Sequence, residues 1–355
     1  MASSSRRLLG ATIGSIICAA IVVFAAGMSE APPARGETVV TTDTLLGWVT
    51  EFAADRWGRW DNELGAANFI TDKKQETDAR HEACDQGNLG IAGASPADDP
   101  VRLDPSVLPA DPSIAPLPAI PRDPDNSNPF FHWMNPTAYT SDRYNVSYHG
   151  TAHSHLDALC HYPLLGVLFD GLVTAVNNTG NTTVAVGGCA KYGIQNLRDG
   201  VLTKGVLFDA TLLPYMLEPG RPWLAPGTHV HKSDLEALEK IEHVKVESGD
   251  VILLYTGRWA RRAALGPWPT SGTPTAAGAG VAGYDADAMA FVHEREVSFI
   301  GHDEWNDAFP NGYPGFPNSL PVHTLAIRVM GVDIFDNLDL ERLAATARQD
   351  RKSVV

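Results

Sequence analysis

Two short apolar runs bounded by glycine, Gly205-Val-Leu-Phe-Asp-Ala and Gly249-Asp-Val-Ile-Leu-Leu-Tyr-Thr-Gly, flank a segment of helical character, Ser233 to Ile241. This arrangement constrains the fold more than any other feature of the chain. The runs are rich in β-formers and too short for buried helices, so they read as buried strands. The segment between them opens on Ser233-Asp-Leu-Glu236, a capping-box pattern that marks a helix start. Strands alternating with helices predict an α/β or mixed-sheet body, and the lack of a Gly-rich phosphate loop argues against dinucleotide binding. Around this centre, Thr44 to Arg59 reads as a surface helix, Asn145 to His155 as a strand, Val297 to Ile300 as a strand, His323 to Phe335 as a final strand and Leu338 to Arg348 as a C-terminal helix. Pro96 to Pro124 holds nine prolines and is expected to be an extended loop or a lid. Leu265 to Gly283, rich in Gly, Ala, Pro and Thr, reads as a mobile loop.

Composition matters for what it excludes. Of 355 residues, 44% are hydrophobic and 19% charged, which rules out a disordered or fibrous chain. The formal net charge of -15 and the absence of a basic run make nucleic acid an unsuitable partner. Arg6 and Arg7 precede an uncharged stretch, Leu8 to Gly27, followed by polar and Pro-rich residues, so residues 1–36 have the layout of a secretory signal. That implies a secreted or periplasmic protein with a mature part from 37 to 355. The same stretch is long enough to span a bilayer, and a membrane is a partner only if it stays uncleaved. Three cysteines remain beyond it, Cys84, Cys160 and Cys189. A disulfide between Cys84 and Cys189 is the preferred pairing because Cys160 lies inside a histidine cluster; three unpaired thiols fit the sequence equally well.

That cluster carries the chemistry. Four of the twelve histidines fall within thirteen residues, His149-Gly-Thr-Ala-His153-Ser-His155-Leu-Asp157-Ala-Leu-Cys-His161. If 153 to 157 are extended, the period of two points His153, His155 and Asp157 to one face. Imidazole and carboxylate donors suit a borderline divalent ion such as Zn²⁺ or Mn²⁺, and the near absence of thiolates favours a catalytic over a structural site. His-x-His-x-Asp also opens the metallo-β-lactamase motif, but that pattern needs a histidine where this chain has Ala158.

Asp157-Ala-Leu-Cys-His161, preceded by His155 and by Gly150-Thr151, resembles the His-x-Gly-Thr-His-x-Asp-Ala-Pro-x-His signature of the cyclase family, which includes kynurenine formamidase and isatin hydrolase. Trp57 to Thr71, Lys204 to Asp209, Gly249 to Trp259 and Phe335 to Leu340 are similar to family segments in family order. The resemblance spans about residues 45 to 345 and implies a single α/β domain with a mixed β-sheet or barrel-like core flanked by helices. It further implies a homo-oligomer that acts on a small molecule.

Carried over position by position, the resemblance makes His155 and Asp157 metal ligands and His161 the catalytic base. The usual first ligand would fall at Thr151, so either His149 or His153 is expected to take its place. His323 matches a position that some members use for a second metal, and Asp336 stands where they have Glu. His302, in His302-Asp-Glu-Trp305, could reach a pocket, and it and Glu304 are the reserve candidates for a base. Gly227-Thr-His229-Val-His231 reads as a loop before a helix, and Phe130 to Met134 as core or pocket mouth. The expected activity is metal-dependent hydrolysis of an amide, lactam or lactone bond; the rival reading is a metal-binding protein without activity.

Overall fold

The computed structural model describes residues 39–53, 64–75, 131–136, 140–145, 154–169, 192–265 and 280–350. The chain divides between Val39 and Val40, and everything below concerns the unit Val40–Val355. The expected signal, the Pro96 to Pro124 loop, Cys84, Cys189, His149 and His153 lie outside the described residues. Among the described residues no helix is long and apolar enough to cross a membrane.

The core is a five-stranded sheet in the order β3-β9-β8-β6-β4, built from β3 (His155–Asp157), β4 (Gly205–Asp209), β6 (Val251–Tyr255), β8 (Phe299–His302) and β9 (Asp333–Asp336). Strands β4, β6, β8 and β9 run parallel, and β3 joins the edge antiparallel, which makes the sheet mixed. Every residue of β4 is buried. A parallel strand covered on both faces needs such an unbroken apolar run, so the two glycine-bounded segments became strands where expected. Outside this sheet, β1 (Phe131–Pro136) pairs antiparallel with β2 (Thr140–Asn145), and β5 (His229–Val230) pairs parallel with β7 (Gly283–Tyr284).

The helices flank the sheet. Helix α1 (Thr42–Glu51) is capped by Thr41, whose hydroxyl accepts the Thr44 N–H at 3.2 Å, and it buries Leu45. It ends at Glu51, short of the expected Arg59, where Phe52 turns to stack on His293 with ring centroids 4.1 Å apart. Helix α2 (Lys232–Ile241) joins β5 to β6, α3 (Arg258–Leu265) follows β6, α4 (Ala288–Glu294) follows β7, and α6 (Glu341–Asp350) closes the described chain. The cap of α2 differs from the Ser233 reading: the helix starts from His231, whose N–H donates to Asp234 Oδ2 at 2.8 Å.

The largest departure from the sequence reading lies between His323 and Phe335. The chain there is a helical turn, α5 (Pro321–His323), running into a π-helical stretch, Thr324–Met330; only Asp333–Asp336 is strand. A short buried apolar run does not distinguish helix from strand by periodicity, and tertiary packing decided it. Gly331, at φ +70°, ends the stretch against Gly65, and Ala66 N–H donates to Gly331 O at 2.6 Å. A Cβ at Gly331 would lie 2.5 Å from the Phe169 ring and 2.9 Å from Gly65 Cα, so only glycine fits. Cys160, set aside in the sequence reading, is disulfide-bonded, with its partner outside the described residues. The cysteine is buried, and its N–H donates to Tyr192 O at 3.0 Å.

Candidate metal centre

In β3, period-two geometry puts His155 and Asp157 on one face, and register places Asp336, the last residue of β9, directly opposite His155. One donor atom from each of His155, Asp157 and Asp336 lies within 4.8 Å of the others. His155 Nε2 is 3.4 Å from Asp157 Oδ1 and 3.8 Å from Asp336 Oδ2. His323 Nε2 faces the same carboxylates, 3.5 Å from Asp336 Oδ2 and 3.8 Å from Asp157 Oδ2. The group sits at the carboxyl end of β9, the edge at which open α/β sheets characteristically bind ligands.

His161 has a different position. After β3 the chain turns, with the His161 N–H donating to Ala158 O at 2.8 Å, and this brings His161 Nε2 to 3.5 Å from Asp157 Oδ2. Its side chain is 35% exposed, whereas His155, Asp157, His323 and Asp336 are at 2 to 6%. The cluster is therefore buried on one side and open at His161.

Residues that the sequence reading passed over hold these groups. Asp307 accepts three hydrogen bonds inside the protein: Val322 N–H at 2.7 Å, His323 N–H at 3.1 Å and His323 Nδ1 at 2.5 Å. Its grip on Nδ1 turns Nε2 towards Asp157 and Asp336, the usual way in which a carboxylate orients a metal-ligating imidazole. Asn306 donates from Nδ2 to Asp336 Oδ1 at 2.6 Å and to Phe335 O at 2.9 Å. Tyr162 donates to Asn318 Oδ1 at 2.5 Å, and its ring lies 5.3 Å from that of His323. The one local signal for Asp307 was its place in the polar run after β8, which periodicity does not separate from an ordinary loop.

His302 lies elsewhere. It is fully buried, its Nδ1 engages Trp305 O, and its Nε2 is 3.2 Å from Asp303 Oδ1. Asp303 in turn accepts the N–H groups of Gly257 and Arg258, both at 3.0 Å, so the pair braces the start of α3. Glu304, the other reserve base, pairs with Arg258 at 3.2 Å in the same buried layer.

The electrostatics favour a cation. Burial alone would push His323 down, but Asp336 and Asp307 outweigh it and hold its imidazole well above the usual histidine range. Burial raises Asp307 against the pull of His323, and burial together with repulsion from Asp157 raises Asp333 well above the usual carboxylate range. The centre is thus short of positive charge. Nitrogen and oxygen donors, buried, close together and braced from behind, fit a borderline divalent ion.

The cyclase family model matches residues 100–307, more than half of the chain. The chain belongs to the cyclase family. The matched part contains His155, Asp157, His161 and Asp307, and the assignment sets aside the metallo-β-lactamase pattern. Among solved structures this chain is similar to a protein described as a novel cyclase, at 23% identity over 84% of this chain and 90% of that one, with a TM-score of 0.56. That likeness establishes the fold: a mixed α/β sheet flanked by helices. Other similar structures are isatin hydrolase A from Ralstonia solanacearum, 16% identical over 60% of this chain and 71% of that one, TM-score 0.39, and a Bacillus stearothermophilus protein described as a predicted metal-dependent hydrolase, 15% identical over 60% and 72%, TM-score 0.32. No curated protein matches the sequence.

Proposed function

We propose that this member of the cyclase family is a metal-dependent hydrolase of an amide, lactam or lactone bond, with His161 as its base. The observation that carries the reading is one partly exposed histidine at the mouth of a buried set of nitrogen and oxygen donors. His155, Asp157 and Asp336 would hold the cation, Zn²⁺ or Mn²⁺, with His323 facing the same space. A divalent cation supplies Lewis acidity, which polarises a carbonyl and makes water a usable nucleophile at neutral pH.

The rest of the chemistry belongs to the chain. His161 Nε2, held near Asp157, is placed to accept the proton of the attacking water and to return it to the departing nitrogen or oxygen, so that hydrolysis leaves an acid and an amine or alcohol. Asp157 stabilises the imidazolium formed between these two transfers. Asp307 and Asn306 fix His323 and Asp336, and the Tyr162–Asn318 pair walls the side next to His323. Export, a homo-oligomeric state and a small-molecule substrate complete the reading; they rest on the sequence before residue 37 and on the resemblance.

A panel of N-formyl arylamines, cyclic amides and lactones, assayed after chelator treatment and after return of Zn²⁺ or Mn²⁺, tests this. Turnover of at least one class that vanishes with chelation is expected. A chain that binds the metal but turns over none of them is a binding protein and overturns the proposal.

A further inference from the structure

A second group of histidines and carboxylates lies outside this centre. β5 and β7 are parallel partners, with His229 opposite Gly283 and Val230 opposite Tyr284, so the residues leaving the two strands run side by side. His231 thereby meets Asp285 and Asp287. Its Nδ1 is 3.0 Å from Asp287 Oδ2 and 3.8 Å from Asp285 Oδ1, and one donor atom from each of the three lies within 4.8 Å of the others. His229 Nδ1 is 2.7 Å from Asp285 Oδ2, and its ring lies almost parallel to that of His231, centroids 6.1 Å apart.

From this we infer a second divalent-metal site, formed by His231, Asp285 and Asp287, with His229 held against Asp285 beside it. Two donors at 2.0 to 2.1 Å from a tetrahedral ion are roughly 3.3 Å apart, and the observed 3.0 and 3.8 Å bracket that spacing. The donor set of one imidazole and two carboxylates suits a borderline cation of the zinc class. The carboxylates are also braced as ligands usually are. Lys232 N–H donates to Asp287 Oδ1 at 3.0 Å, Asp287 N–H donates to Asp285 Oδ1 at 2.8 Å, and the Tyr313 hydroxyl donates to Asp285 Oδ1.

Charge points the same way. A third carboxylate, Asp234, sits at the His231 N–H, while the adjacent Lys232 spends its ammonium on Glu294 at 2.5 Å and Glu236 at 3.8 Å. Three carboxylates thus lie around the His231 imidazole. His231 is 39% exposed, which gives the ion a way in. Three protein donors leave a fourth position for water. The ion would fasten the start of α2 to the start of α4. Through Tyr313 it also reaches the loop from Asn311 to Asn318, whose last residue holds Tyr162 beside the first centre.

The test counts zinc in the full chain after chelator treatment and dialysis against Zn²⁺. His231→Ala and, as the milder change, Asp287→Asn should each bind one equivalent less than the unmodified protein, with circular dichroism unchanged. A chain carrying His155→Ala and Asp157→Asn should keep one equivalent and lose it when His231→Ala is added. Cobalt gives an independent readout, since the visible absorption of a tetrahedral nitrogen–oxygen site should persist in the first double variant and vanish in the triple. Equal zinc content in the unmodified protein and a folded Asp287→Asn variant overturns the inference. Failure of the first centre alone looks different: one equivalent in the unmodified chain and none in His231→Ala.

Discussion

Replacing Asp307 by Asn changes no atom expected to touch a substrate, yet it should weaken both folding and metal binding by amounts that follow from the contacts. The carboxylate receives Val322 N–H on Oδ1 and two donors of His323 on Oδ2, all buried. An amide has one acceptor oxygen. In its better orientation that oxygen serves His323 and turns an NH₂ against Val322 N–H, leaving at least one buried donor without an acceptor, at a cost of about 1–3 kcal/mol. Typical domains have only about 5–15 kcal/mol of stability, so urea unfolding of the metal-free protein will resolve the loss. Without the Asp307 negative charge facing its Nδ1, His323 is also a poorer and less fixed donor, and loss of such an orienting partner typically costs about 10–100-fold in metal affinity. Competition against a chelator of known strength measures that. Lowered stability with unchanged affinity would refute the claim that Asp307 orients a ligand and leave it as an anchor for α5.

Other outcomes follow from the same structure. His161→Ala should keep near-stoichiometric metal and a normal melting curve while kcat falls about 10²- to 10⁴-fold; metal lost together with activity would make His161 a ligand. Gly331→Ala should lower the unfolding free energy by about 2–5 kcal/mol, from left-handed strain and overpacking against Phe169 and Gly65, and thermal or urea unfolding checks it. Burial, only partly opposed by Arg258, pushes Glu304 up from 4.5 to about 7. Between those values the folded state holds more protons than the unfolded one, so stability falls as pH rises through the window, by about 3 kcal/mol in total for this group. The stability difference between the unmodified protein and Glu304→Gln should shift by that amount between pH 4 and pH 8, and a constant difference would contradict it.

The sequence by itself determined the local pieces: two short glycine-bounded runs rich in β-formers that read as buried strands, a helix between them, and a His-x-Asp pair whose alternation fixes both side chains on one face. These follow from short-range geometry, which a linear chain carries in full. It did not determine that Thr324 to Met330 is π-helical, since an apolar run is equally at home in a buried strand or helix until its neighbours are known, nor that α2 starts from His231, whose setting depends on Asp287 more than fifty positions away. The completion of both donor clusters was likewise a tertiary decision. Asp336 joins His155 because β9 lies against β3, Asp307 takes hold of His323 because the loop after β8 passes α5, and Asp285 and Asp287 reach His231 because β7 runs parallel to β5. Donor distances are set by strand pairing between segments far apart in the chain, and that pairing is stabilised by the burial of the whole apolar core rather than by any motif that can be read along one segment.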